Sequence, residues 1–140
     1  DPLRRQRQMC IRDSSTTAPL SVSTTNTLLK AGLQIGLDQV RMGRNEVATG
    51  TSFDLFDASA ASIDKSNWIY IANLETDPTL YVTIVIDAET IGRLYAGDWM
   101  FMPWNADDAT HDIEITASSG TQTIEWIKFH EGETLLTQAD

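Results

Sequence analysis

The chain has 140 residues, 41% of them hydrophobic and 21% charged, with 8 Gly, 4 Pro and a formal charge of −10. That balance suits one globular domain around one core. The longest apolar candidate, LYVTIVI at residues 80–86, falls far short of the roughly 20 residues of a membrane-spanning helix, so a soluble chain with no membrane partner is expected.

The basic residues are unevenly placed. Arg4, Arg5, Arg7 and Arg12 and the single cysteine, Cys10, all lie in the first thirteen residues, DPLRRQRQMCIRD. The stretch RRQRQMCIRDS resembles the translation of a sequencing adapter, which implies a foreign segment to be set aside from fold reasoning. The competing reading is a basic arm for nucleic acid. No apolar stretch follows the arginines, so a secretory signal is not expected. Beyond residue 13, 18 acidic residues against 6 basic ones leave a charge of −12. Lys30, Arg41, Arg44, Lys65, Arg93 and Lys128 are scattered. Affinity for a phosphate backbone needs clustered cations, so no nucleic-acid partner is expected, whereas a carboxylate excess suits solubility at high local concentration.

Residues 14–27, containing STTAPLSVSTTNT, are small and polar and predict an extended N-terminal arm. LLKAGLQIGLDQVRMG, at 28–43, is broken by Gly32, Gly36 and Gly43. Each glycine would cost a helix about 1 kcal/mol relative to Ala, which favours extended structure bending at the glycines. FDLFDASAASID, at 53–64, predicts an edge strand followed by a helical turn.

From Asn67 onward period-two alternation dominates, bounded by turn residues. NWIYIANL sets Trp68, Tyr70 and Ala72 against Ile69, Ile71 and Asn73. LYVTIVID turns Leu80, Val82, Ile84 and Ile86 toward the core. TIGRLYA and DWMFMPW are divided at Gly97, where a tight turn needs a positive φ, and Pro103 ends the second. DIEITAS buries Ile113, Ile115 and Ala117, and QTIEWIKFHE opposes Ile124, Trp126 and Lys128 to Glu125, Ile127 and Phe129. Six strands at short spacing after residue 66 predict an all-β fold, a single antiparallel β-sandwich or jelly roll over residues 28–140.

Residues 93–104, RLYAGDWMFMPW, concentrate the aromatic and sulfur side chains. On a strand Trp99 and Phe101 share one face while Met100, Met102 and Trp104 share the other. Apolar character on both faces predicts a central strand covered on both sides, or one covered on one side by another subunit. Core plus oligomer interface is preferred over a ligand platform, which makes Trp99, Met100, Phe101, Met102 and Trp104 the candidate interface residues.

Catalytic and metal patterns are sparse. NADDATHD gathers Asn105, Asp107, Asp108, His111 and Asp112 in one loop, without EF-hand spacing, and a solvated turn is the preferred reading. His111 and His130 form no HxH or HxxxH pair for a cupin-type metal centre. SIDK, at 62–65, fits SxxK without an SDN or KTG partner, and no GxSxG, GxGxxG or P-loop occurs. Glu114 and Glu125 are both expected on an outer face as solvated carboxylates. No catalytic residue, metal ligand or cofactor is therefore predicted, and an enzyme is not expected.

The run NWIYIANLETDPTLYVTIVI, then IGRLYAGDWMFMPW, then DIEITASSGTQTIEWIKF resembles small structural proteins of tailed bacteriophages, particularly marine ones, over about residues 67–129. The shared pattern is made of turn and core residues. It implies a non-enzymatic β-sandwich virion protein without cofactor, a head decoration or fibre-associated component. Its partners would be other virion proteins, major capsid or tail subunits, and it would form a homo-oligomer, commonly a trimer, with the extended arm reaching a neighbour. The alternative is a carbohydrate- or receptor-binding module of a tail or fibre, using Trp99, Trp104 or Trp126 with the loop at 107–112. A hydrolase or metal enzyme would need His111 or His130 beside a carboxylate cluster.

Overall fold

Alternating apolar residues make eight strands in the computed structural model, which describes residues 37–58 and 65–131 together with Ser23 and Thr25. In chain order these are β1 (Gln39–Ala48), β2 (Phe53–Phe56), β3 (Asn67–Asn73), β4 (Tyr81–Ile86), β5 (Glu89–Tyr95), β6 (Trp99–Pro103), β7 (Ile113–Ala117) and β8 (Thr121–His130), with one 3-10 turn at Ala109–His111. They form two four-stranded sheets, ordered β1-β8-β3-β6 and β2-β7-β4-β5, and every pairing within them is antiparallel. Only β4 and β5 are sequence neighbours within one sheet; every other connection crosses to the opposite sheet. This is the double Greek-key order of a jelly roll.

The sheets meet over Val47, Ile69, Ile71, Val82, Ile84, Ile113, Ile115 and Ile124, all buried. Each belongs to an alternating set, so burying one face of a strand leaves the other outward. Two buried amides tie the sheets together. Asn73 Nδ2 donates to Leu94 O at 3.0 Å and to Gln122 Oε1 at 3.1 Å, while Gln122 Nε2 donates to Tyr81 O at 3.0 Å. The fixed partners satisfy groups that would otherwise be costly inside the core.

The six strands after residue 66 and the edge strand at residue 53 lie where the sequence predicts them, and Gly97 takes φ +87° in its turn. Gly43 does not bend the chain: β1 pairs with β8 over its full length without a register shift. The glycine is there because the Trp126 ring lies over it, so close that a Cβ would stand 2.8 Å from Trp126 Cζ2. The 14–27 arm apart from Ser23 and Thr25, Gly32, Gly36, the helical turn after residue 58 and Ser62 of SIDK lie outside the described residues.

Candidate interaction surface

The two sheets present different outer faces. Across β2-β7-β4-β5 the outward positions include Asp54, Glu114, Thr116, Thr83 and Arg93, whose guanidinium sits 4.3 Å from the Tyr81 ring centroid. That face is mixed, its charged and polar side chains lying beside the Tyr81–Tyr95 pair, as an antiparallel sheet with one solvated side allows.

The outer face of β1-β8-β3-β6 is apolar. Register places Val40, Phe129, Trp68 and Pro103 in one row across the strands, and Met42, Ile127, Tyr70 and Phe101 in the next. A third row holds Arg44, Glu125, Ala72 and Trp99, in which Arg44 and Glu125 form an ion pair at 3.1 Å. Aromatic contacts knit the face together: Trp68 to Phe101 at 5.1 Å, Phe101 to Phe129 at 5.8 Å and Tyr70 to Trp99 at 6.1 Å between centroids. Met42 is 66% exposed, Trp99 62%, Val40 51% and Phe101 37%. With strands about 4.8 Å apart and same-face side chains about 6.8 Å apart along each, the three rows cover roughly 350 Å². That is within the range of the largest apolar patch on an ordinary folded monomer, which is often a functional surface.

The five residues expected at an interface divide between the two sides of β6. Met100 and Met102 pack against the core and Trp104 is buried, its Nε1 donating to His111 O at 2.8 Å. Trp99 and Phe101 point outward. The strand is not central: β6 is the last strand of its sheet, and its inner side is covered by the opposite sheet. Apolar residues on both faces signal a core on one side and an exposed surface on the other. Sequence reasoning missed Val40, Met42, Ile127, Phe129, Trp68 and Tyr70 as members of the same face. They come from three other strands, and only the register aligns them.

The carbohydrate platform loses most of its proposed rings. Trp104 is buried, and Trp126 is half-buried against Phe56, with Nε1 donating to Asn45 Oδ1 at 2.7 Å. Trp99 alone of the three stands exposed. The loop at 107–112 closes on itself: Asp108 Oδ1 accepts from the Thr110 N–H and hydroxyl, which holds the Asp108 carboxyl below its ordinary range, and Asp107 lies 3.3 Å from His111. His130 Nδ1 lies 3.1 Å from Glu131 O at the end of β8. Glu114 and Glu125 lie on outer faces of different sheets, the first accepting from Ser52 at 3.2 Å and the second paired with Arg44, and so form no acid pair. One grouping the sequence did not suggest brings the carboxylates of Asp54, Asp57 and Asp112 within 4.8 Å of one another. Asp112 Oδ1 there already accepts the Ala58 N–H at 2.6 Å.

No family model matches the chain, and no curated protein matches it. Among solved structures it is similar to a chain from "Bacillus endospore appendages form a novel family of disulfide-linked pili", at 14% identity and TM-score 0.45 over 76% of this chain and 97% of that one. It is also similar to a cupin protein from Bacteroides fragilis, at 17% identity and TM-score 0.38 over 77% of this chain and 86% of that one.

Proposed function

We propose that the protein is a non-enzymatic structural subunit of a virion, a head decoration or head-associated component that docks on another virion protein through the outer face of the β1-β8-β3-β6 sheet. One observation carries the reading: two full apolar rows span all four strands of that face and a third adds Trp99, with Met42 66% and Trp99 62% exposed, while the outer face of the opposite sheet mixes charged and polar residues with the Tyr81–Tyr95 pair. The virion assignment takes its support from the phage-like pattern at residues 67–129. The partner surface would be apolar and nearly uncharged, since the only formal charges in the three rows, Arg44 and Glu125, neutralise each other. A face of roughly 350 Å² is about half of what one partner contributes to a standard interface. Such a contact holds best where many copies bind one lattice and avidity multiplies weak sites.

The test is co-sedimentation with tailed-phage particles assembled with and without this chain. Binding in many copies per particle is expected, and Met42→Lys, which adds a charge to the middle row of the face on its β1 side, should abolish it without unfolding the protein. Absence of the chain from sedimenting particles, or binding unaffected by Met42→Lys, would overturn the assignment.

A further inference from the structure

Among the described residues β6 leaves one edge of its sheet unpaired, a feature distinct from the face. A sheet edge exposes unpaired N–H and C=O groups, and proteins guard such edges with charge, proline, bulges or brevity. Three of the four edges here are guarded. β1 carries Arg41, Arg44 and Glu46; β2 has four residues, Asp54 and a register shift; β5 carries Glu89 and Arg93 and pairs across a register shift. β6 reads WMFMP, pairs with β3 without a shift, holds no charged residue and carries its one guarding residue, Pro103, at its very end.

Its backbone is also oriented for addition. Trp104 N–H donates to Asn67 O at 2.8 Å and Asn73 N–H donates to Asp98 O at 2.9 Å, with Met100 opposite Ile71 and Met102 opposite Ile69. Antiparallel alternation then directs the backbone groups of residues 98, 100, 102 and 104 toward β3, and those of Trp99, Phe101 and Pro103 away from it. Among the described residues no strand lies beyond them.

We infer that β6 is a strand-addition site for a second copy of this chain, the two β6 strands pairing antiparallel about a two-fold axis. One register suits the sequence: Trp99 opposite Phe101 of the second copy, with Met100 opposite its own equivalent. In it the outward N–H and C=O groups of both Trp99 and Phe101 are matched, and Pro103, which has no N–H, is left outside the ladder. Aromatic cross-strand pairs then flank the axis on the outer face. The two-fold keeps both outer faces on the same side, so the joined eight-stranded sheet presents one continuous surface of roughly 700 Å², apolar but for the Arg44–Glu125 pair of each copy and close to the about 800 Å² per partner of a standard interface. The absence of charge on β6 lets two copies of a chain of net charge −10 approach along this edge. A closed two-fold pair replaces the trimer that the phage resemblance implies. The pairing does not depend on what the face binds.

Sedimentation and amide exchange test it on the full chain, kept reduced so that Cys10 cannot link copies. From micromolar to millimolar concentration a monomer–dimer equilibrium is expected, and exchange of the Trp99 and Phe101 amides should slow roughly tenfold or more while that of Met100 and Met102 stays constant. Phe101→Thr and Phe101→Pro both remove the ring, but only proline removes the outward N–H. Proline should weaken pairing at least roughly tenfold beyond threonine, and Met42→Lys, on the face but far from the edge, should leave pairing intact. Equal weakening by Thr and Pro, or loss of pairing in Met42→Lys, would mean face-to-face association and overturn the edge. So would a trimer, a monomer at every concentration, or Trp99 and Phe101 amides protected at all concentrations. If Phe101→Pro does not fold, the exchange result on the unmodified chain decides alone. Particle binding lost in Met42→Lys with pairing retained separates this inference from the proposed docking.

Discussion

Gly43→Ala adds one methyl group to β1 and should destabilise the protein, although alanine is ordinarily the better strand residue. The new Cβ would stand 2.8 Å from Trp126 Cζ2, 3.0 Å from Cε2 and 3.2 Å from Nε1, all inside normal van der Waals separation. The indole must retreat, yet it is held on two other sides. Its Nε1 donates to Asn45 Oδ1 at 2.7 Å, and its ring meets Phe56 edge-on at 5.3 Å and 87°. Loosening that hydrogen bond costs about 1 kcal/mol, and disturbing the edge-to-face contact costs about 0.5–1.5 kcal/mol. Replacing glycine returns about 0.5–1 kcal/mol of backbone entropy. The net is a loss of about 0.5–2 kcal/mol, reaching into the lower part of the range for overpacking a tight site. In urea this lowers the unfolding midpoint by roughly 1 M with an unchanged slope. A double-mutant cycle with Trp126→Ala isolates the cause, because in that background Gly43→Ala should become neutral or stabilising. If Gly43→Ala alone raised the midpoint, the close approach of Trp126 would not be what selects glycine here.

Three further outcomes follow from single sites. Asn73→Leu strands Gln122 Oε1 in the core, takes a donor from the Leu94 carbonyl and removes the acceptor of the Glu75 N–H; a loss of about 2–3 kcal/mol is expected in chemical denaturation. The β4–β5 hairpin turns on Asp87 and Ala88 at φ 51° and 63°, and Ala88→Gly, which supplies the residue that such a two-residue turn prefers, should raise stability by about 0.5–1 kcal/mol in a thermal melt. Hydrogen bonds from the Thr79 N–H and hydroxyl lower the Asp77 carboxyl, and those from Thr110 lower Asp108 in the same way. Both stabilise their turns above the ordinary carboxylate value of 3.8 and lose that contribution as pH falls through the lowered folded values; the Thr79 and Thr110 amide resonances should therefore titrate with midpoints below 3.8.

The strands after residue 66 were legible because each buries one side only, so that in β7 Ile113, Ile115 and Ala117 alternate with half-buried Glu114 and Thr116. β1 was not, since its inward positions include Gln39, Arg41, Gly43 and Asn45 while Val40 and Met42 face outward, the reverse of the usual pattern. That inversion is itself informative. An exposed Met42 on an edge strand lowers solubility and is tolerated only where something else is served, here membership in a row with Ile127, Tyr70 and Phe101. The same reasoning applies to β6, where alternation separated Trp99 and Phe101 from Met100 and Met102 but could not tell a central strand from an edge. What decides between those is which strand lies beside β6, a fact of topology set by chain crossovers many residues away. Side-chain chemistry thus revealed that β6 has two apolar sides, and strand order revealed that, among the described residues, one side and one edge are open. The proposed docking surface is the product of both, which is why no single stretch of this sequence contains it.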